Sequence, residues 1–360
     1  MMPWQQAMTA EMATLQALVQ PLLPGITMEC VAQIDSTNSE LMRRFKARSA
    51  ALNDSSAASA AKPVLLLAGE QSAGRGRMGR VWVNANSLSP KGIVNSPGSV
   101  LFSLGLEIHP SQSLGWSGLS LAVGICIAEA LQALMQQATG ANSSSANRIG
   151  LKWPNDVWLH SMRDGSERKL AGILVETASA QAERYAVIGV GINLQAPAGL
   201  PLGHAAGLDR AEGATGAAEQ QQPLPALTPS APFRATPFAA FSSLAAAGLR
   251  DVCPGVQPAD VLRQALPRLA QALRLFELEG FAPFQQRFAA CDLLAGRAVV
   301  LSCGDSGLAG GVDASGALQV CTSNGLQSIS SSEVSVRPLA AAPQTGSTFP
   351  QNAVSVPKPC

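Results

Sequence analysis

The densest group of chemically capable side chains lies between Gly74 and Trp82, where Arg75, Arg77 and Arg80 sit on a frame of Gly74, Gly76 and Gly79. The glycines have the G-x-G-x-x-G spacing of a dinucleotide-binding turn. Their context rejects that reading. A Trp82-Val83-Asn84 segment and a polar loop follow where a helix should start, and the arginines would crowd a pyrophosphate. Guanidinium groups grip phosphate oxygens two at a time, so the loop reads as a clamp for an anion that arrives or forms during a reaction. A solvated basic turn and an Arg/Gly nucleic-acid segment are the plainer readings of the loop taken alone.

Three other segments carry chemistry. Lys152-Trp153-Pro154-Asn155-Asp156 has ordinary turn composition, yet a Lys and an Asp beside an arginine loop would suit polyphosphate and Mg²⁺. Lys169 precedes the nearly apolar run Leu170 to Glu176, and it matters only if it points into the same cleft. Gly189-Val190-Gly191-Ile192-Asn193-Leu194 is a glycine-punctuated strand, which signals close approach of a ligand or of a packing helix. His109, His160 and His204 are too dispersed for a metal site or a Ser-His-Asp triad, and no nucleophile elbow is present.

Regular elements must position these segments. Helices are expected at Trp4 to Val19, Asn38 to about Arg48, Leu119 to Gln136, Phe238 to Val252, Pro258 to Glu279 with a kink at Pro267, and Phe281 to Cys291. Thr37, three residues before Glu40, has capping-box spacing for the second of these. Strands are expected at Val64 to Glu70, Val100 to Glu107, Ile149 to Trp153, Val157 to Leu159, Leu170 to Thr177 and Arg184 to Ile192. Short polar turns join three of them, which predicts an α+β fold, a mixed and largely antiparallel sheet with helices on one side. Four brief strands (Arg297 to Ser302, Leu308 to Asp313, Ala317 to Cys321, Leu326 to Ile329) then predict a small C-terminal β-barrel. The expected units are a helical segment at 1–25, a catalytic domain at 26–292, the barrel at 293–338 and a flexible tail at 339–360. Ser49 to Lys62, Asn84 to Ser99 and Gln195 to Thr236 read as polar insertions.

Composition sets outer bounds. In 360 residues, 25 basic side chains face 24 acidic ones, so no overall field draws the chain to nucleic acid or membrane, and any basic chemistry is local. Seven cysteines without a Cys-x-x-Cys pair argue against a disulfide framework or a zinc site and suggest a reducing cytoplasm. Residues 1–20 lack export-signal character. Leu119 to Met135, interrupted by Gly124 and Glu129, reads as a buried helix.

In this order the segments resemble the biotin protein ligase family: Asp-Ser-Thr-Asn at Asp35, Gly-Arg-Gly-Arg-x-Gly-Arg-x-Trp at Gly74, Lys-Trp-Pro-Asn-Asp at Lys152, Lys-Leu-Ala-Gly-Ile-Leu-Val-Glu at Lys169 and Gly-x-Gly-Ile-Asn at Gly189. The resemblance runs from about Ile34 to Leu194, with the helices and small barrel following to about Pro338. It implies a class II synthetase-like catalytic domain. It also implies ATP and biotin as substrates, Mg²⁺, and a biotin carboxyl carrier domain of acetyl-CoA carboxylase or a related carboxylase as partner. Ser36, Thr37, Asn38, Gln71, Gly74 and Gly172 would then lie around biotin. Arg75, Arg77 and Lys169 would be catalytic, and Arg77, Arg80, Trp82, Lys152, Asn155, Asp156 and Asn193 would lie on the nucleotide side, with Asp156 a ligand to Mg²⁺.

The family's bifunctional members carry an N-terminal DNA-binding domain that the short lead before Asp35 would not hold, so no repressor activity is expected. A lipoate or octanoate ligase and a non-catalytic biotin-binding regulator are the rival readings.

Overall fold

The structure is a computed structural model that describes residues 3–52, 61–83, 97–109, 115–140, 146–180, 183–197, 246–302, 304–330 and 336–338. Its principal sheet joins β1 (Thr27–Ile34), β2 (Val64–Gln71), β3 (Ser99–Glu107), β4 (Asn147–Lys152), β5 (Asp156–Ser161), β6 (Glu167–Ala180) and β7 (Glu183–Asn193). Their spatial order is β1-β2-β3-β7-β6-β5-β4. Only the β1–β2 pair is parallel among these ladders, so the sheet is mixed and largely antiparallel, as the α+β expectation had it.

Period-two alternation gives this sheet two different faces. Along β7, Ala186, Ile188, Val190 and Ile192 enter the main core, while Tyr185 and Val187 enter a separate cluster with Leu41, Phe45 and Leu66. The main core lies beneath α1 (Pro3–Val19), α3 (Leu119–Thr139) and α4 (Pro258–Glu279). The second cluster lies beneath α2 (Thr37–Leu52). Helices on one side thus describes α1, α3 and α4, and α2 adds a helix to the opposite face.

α3 is long and apolar enough to cross a membrane by length and composition alone. Here it is a core helix, with Val123, Ile125, Cys126, Ile127, Ala130 and Leu131 all fully enclosed. Each such Ile, Val or Leu stabilises the fold by roughly 1.5–3 kcal/mol relative to exposure. Gly124 faces Leu151 and Ile173, which lets the helix approach the sheet closely. α4 runs unbroken through Pro267 to Glu279.

β8 (Ala298–Leu301), β9 (Ser306–Val312), β10 (Leu318–Thr322), β11 (Gly325–Ile329) and β12 (Val336–Pro338) form the second sheet, ordered β11-β10-β9-β8-β12. It follows α5 (Gln285–Cys291) and is the small C-terminal β-domain the sequence led one to expect.

Several sequence expectations need correction. β1 and β12 were not anticipated: β1 is only half-buried and β12 is three residues long, so neither shows a clean apolar alternation. The insertion expected from Ser49 begins later, because α2 continues through Leu52, and Ser99 already belongs to β3. Of the helix expected at Phe238 to Val252, residues 238–245 lie outside the described residues, and the rest is a β-bridge at Ala246 followed by a 3₁₀ turn, Leu249–Asp251. The Ala246 backbone instead pairs with Lys169. The cores of the other two insertions and the tail also lie outside the described residues.

Candidate active site

The site opens on the α2 face, where β6 and β7 exchange bulk for glycine. Gly172 and Gly191 are cross-strand partners, and the Trp82 indole lies directly over both. A Cβ at Gly172 would sit 2.8 Å from the indole, and one at Gly191 would sit 2.6 Å from it. Gly189, two residues earlier, leaves room for the Asn38 side chain. Side chains at these positions would fill the cleft floor.

One wall is the start of α2. Ser36 caps the helix, its hydroxyl accepting from the Ser39 amide at 3.3 Å and its carbonyl from the Glu40 amide at 3.0 Å. The cap is therefore Ser36 and not Thr37, which frees Thr37 for a tertiary role. The Thr37 amide donates to Gln71 Oε1 at 2.7 Å. Ser103, fully buried on β3, stands between the Thr37 hydroxyl at 2.7 Å and Asn38 Oδ1 at 2.5 Å. Asn38 donates onward to Glu176 at 3.0 Å and to the Leu174 carbonyl at 3.3 Å. Asp35 holds the outer end: its Oδ1 accepts from the Ser36 amide, and hydrogen bonds from the Arg43 guanidinium lower its carboxyl to about 2.

The arginine loop forms the lid side. It is a small hairpin: the Trp82 amide donates to the Gly74 carbonyl at 2.9 Å and the Gly76 amide to the Arg80 carbonyl at 2.7 Å. Gly74 permits this closure, since a Cβ there would meet the Trp82 carbonyl at 2.7 Å. Met78 and Gly79 turn the tip with φ of 55° and 72°. Such a backbone is uncommon for methionine. Met78 and Val81 are exposed there. Arg75 is tied to Glu176 at 2.8 Å, and Arg77 donates to Asn155 Oδ1 at 3.3 Å. Burial lowers the basicity of Arg77, as does the nearby Arg80 charge, while Asp156 opposes the shift.

The far wall is the turn between β4 and β5 together with the start of β6. Asn155 donates to the Ile173 carbonyl at 2.8 Å and accepts the Ile173 amide at its own carbonyl at 3.0 Å. Lys169 pairs with Asp156 at 2.7 Å and lies 5.3 Å from the centre of the Trp82 ring. Lys152 lies 5.0 Å from the centre of the Trp158 ring. Among the described residues, the cleft is thus lined by five cations (Arg75, Arg77, Arg80, Lys152 and Lys169) and one carboxylate, Asp156. In a chain of net charge +1 this is a concentrated local field, suited to an anionic ligand and to developing negative charge.

Comparison with known proteins agrees with this architecture. The model of the biotin/lipoate A/B protein ligase family matches residues 32–193, and that of the biotin protein ligase C terminal domain matches residues 306–337. The chain is 31% identical over 300 residues to the bifunctional ligase/repressor BirA of Escherichia coli (strain K12), across 82% of this chain and 70% of that protein. The chain belongs to the biotin protein ligase family. It is also 34% identical over 171 residues to the biotin--[acetyl-CoA-carboxylase] ligase of Mycobacterium tuberculosis, a match spanning 47% of this chain and half of that relative's length. A solved biotin protein ligase from Aquifex aeolicus, in complex with biotin and ATP, shares the fold with a TM-score of 0.53 at 21% identity, covering 87% of this chain and 99% of that one.

Within this biotin protein ligase fold, Ser36, Thr37, Asn38, Gln71, Arg75, Arg77, Arg80, Trp82, Lys152, Asn155, Asp156, Lys169 and Gly172 line one cleft. Gly74 shapes the loop behind it without lining it, and Asn193, at the end of β7, is buried outside the lining. Ser103, Glu176 and Val336 were not anticipated, whereas Gly189 belongs to the glycine-punctuated strand that signalled a close approach. Ser103 and Glu176 could have been noticed as polar residues on the non-core side of their strands, whereas nothing local marks Val336, which arrives from β12. Among the described residues no group of three or more His, Cys, Asp or Glu could hold a metal, and Cys30, Cys126, Cys253, Cys291 and Cys321 are free thiols.

Proposed function

We propose that this chain is an ATP-dependent biotin protein ligase that forms biotinyl-5′-AMP and transfers biotin to the ε-amine of a lysine on a biotin carboxyl carrier domain, acting in the cytoplasm. The observation that carries the reading is the convergence of five cations on a glycine-floored cleft of a family member. In the first step the biotin carboxylate attacks the ATP α-phosphate and pyrophosphate leaves, so two anions must meet. Holding them in register removes much of the entropic barrier, and fixed cations offset the charge that develops at phosphorus.

Residue roles follow from position. Lys169 stands where the glycine floor meets Asp156, so its ammonium suits the carboxylate and the α-phosphate together. Arg77 and Arg80 bring guanidinium groups from the lid side, and Arg75 anchors the loop through Glu176. The Thr37, Gln71, Asn38 and Ser103 network offers fixed donors and acceptors for a compact polar ring such as the ureido group. In the second step the carrier amine attacks the mixed anhydride at the biotinyl carbonyl, and AMP leaves.

A divalent cation fits this site in company with substrate, because Mg²⁺ takes one or two carboxylates plus phosphate oxygens and, among the described residues, Asp156 is the carboxylate in the lining. Asp156 would hold it, and the ion would supply further neutralisation of phosphate charge.

Intact-mass analysis of a biotin carboxyl carrier domain incubated with the protein, ATP, Mg²⁺ and either biotin or lipoate tests the proposal. An ATP-dependent mass gain of one biotinyl group is expected. Gain with lipoate alone would move the protein to the lipoate branch, and no gain with folded protein would leave a binding or regulatory role.

A further inference from the structure

We infer that the Asp313–Ala317 turn of the second sheet is a positioning device for the nucleotide end of the cleft, acting through the Gly316 carbonyl and the Trp153 indole; this rests on the ligase reading above. Trp153 is fully buried, and its Nε1 donates to the Gly316 carbonyl at 3.1 Å. A buried indole N–H needs such a partner, and here the partner comes from the other sheet. Asn155 and Asp156 follow two and three residues later. The turn that carries them is therefore tethered from three directions: to β6 through the paired Asn155–Ile173 bonds, to the arginine loop through Arg77, and to the second sheet through Trp153.

The acceptor of that third tether lies in a turn closed by its own hydrogen bonds. Asp313 Oδ1 accepts from the Ser315 amide at 2.8 Å, the Ser315 hydroxyl at 2.7 Å and the Ala317 amide at 3.1 Å. Its Oδ2 accepts from Gln319 at 3.0 Å and Ser328 at 3.0 Å. Gly316 has φ of 84°, and a Cβ there would come 2.8 Å from the Gly118 Cα, so glycine is required both by conformation and by contact. Ser117 adds a second clip by donating to the Ser315 carbonyl at 2.8 Å. β12 of the same sheet places Val336 in the cleft lining. The biotin side is held differently, by the Thr37, Gln71, Asn38 and Ser103 bonds, which involve no residue of the second sheet.

That separation makes the role measurable. Loosening the turn should displace Asn155 and Asp156 and leave the biotin end in place. Adenylate formation is measured for the full chain and for Trp153→Phe, Asp313→Asn and Ser117→Ala, alongside melting temperature and hydrogen exchange at the Ile173 amide, which donates to Asn155. Trp153→Phe is expected to raise the KM for ATP about tenfold while that for biotin stays within about twofold. Faster exchange at Ile173, with Val190 still protected, is expected to accompany it, and Asp313→Asn and Ser117→Ala should move the same quantities less. If Trp153→Phe does not fold, those two variants decide the matter. An unchanged ATP KM with an equally protected Ile173 amide overturns the inference, as does a parallel rise in both KM values with a lowered melting temperature. Should the unaltered chain make no adenylate, the ligase reading falls and Ile173 exchange still decides whether the turn is positioned from the second sheet.

Discussion

The two faces of the principal sheet are built from the same strands to opposite ends. On the α3 face, Ile173, Val190 and Ile192 pack into a continuous apolar core. On the other face their immediate neighbours are Gly172, Gly189 and Gly191, with Ser103 on the adjoining β3. One residue of register thus separates close packing from an open, charged floor. Along β7 the second face grades from Tyr185 and Val187 beneath α2 to glycines beneath Asn38 and Trp82. The site begins where the strand stops supplying side chains. Stability should therefore depend on one face and chemistry on the other.

The largest expected effect lies on the core face. Ile125→Ala, at a fully enclosed position of α3, should cost about 2–5 kcal/mol in urea unfolding while leaving adenylation per folded molecule intact. Loss of catalysis without loss of stability would break the division between faces.

On the open face, Lys169→Ala or Arg77→Ala should slow adenylate formation by about 10²–10³-fold, roughly 2.7–4 kcal/mol on the barrier, with little change in melting temperature. Asp156→Asn should weaken the response of the rate to Mg²⁺; an identical Mg²⁺ titration would leave Asp156 only as the ion-pair partner of Lys169. Gly191→Ala tests the floor itself, because its Cβ must displace the Trp82 indole. A rise of about tenfold in the ATP KM, with altered tryptophan fluorescence, is expected from lost fit. Wild-type affinity would show that the indole moves aside at no cost.

The smallest effect belongs to the exposed rim. Arg43→Ala removes an ion pair to Asp35 in which both side chains are about half exposed, so it should cost less than about 1 kcal/mol at neutral pH. Asp35 is lowered to about 2 by Arg43, so the stability it contributes is present above the ordinary carboxylate range and fades as pH falls through about 2. A urea-unfolding series in pH should show the two proteins converging in acid.

The same contrast explains what the sequence revealed. Residues whose side chains do chemistry are marked by type, so Arg75, Arg77, Arg80, Lys152, Asp156 and Lys169 could be named without coordinates, and the structure gathers them. Strands with a clean apolar period were equally legible, whereas β1, half-buried with Glu29 and Gln33 in it, was not. Supporting partners were hidden for another reason. Ser103 and Glu176 show in the sequence only as polar residues in otherwise apolar strands, and Gly316 matters because of what folding places beside it, which no local pattern records. The Ser36 cap shows a subtler miss: capping-box spacing selected Thr37, but a bond to the distant Gln71 claims that residue.

Acid-quenched reactions of the wild-type chain and Lys169→Ala with biotin, ATP and Mg²⁺, without any carrier protein, test the central claim most directly. Quantifying biotinyl-5′-AMP by mass spectrometry should show it accumulating with the wild type and nearly absent with Lys169→Ala at unchanged melting temperature. Formation of the adenylate by Lys169→Ala at the wild-type rate would contradict the account of the cleft.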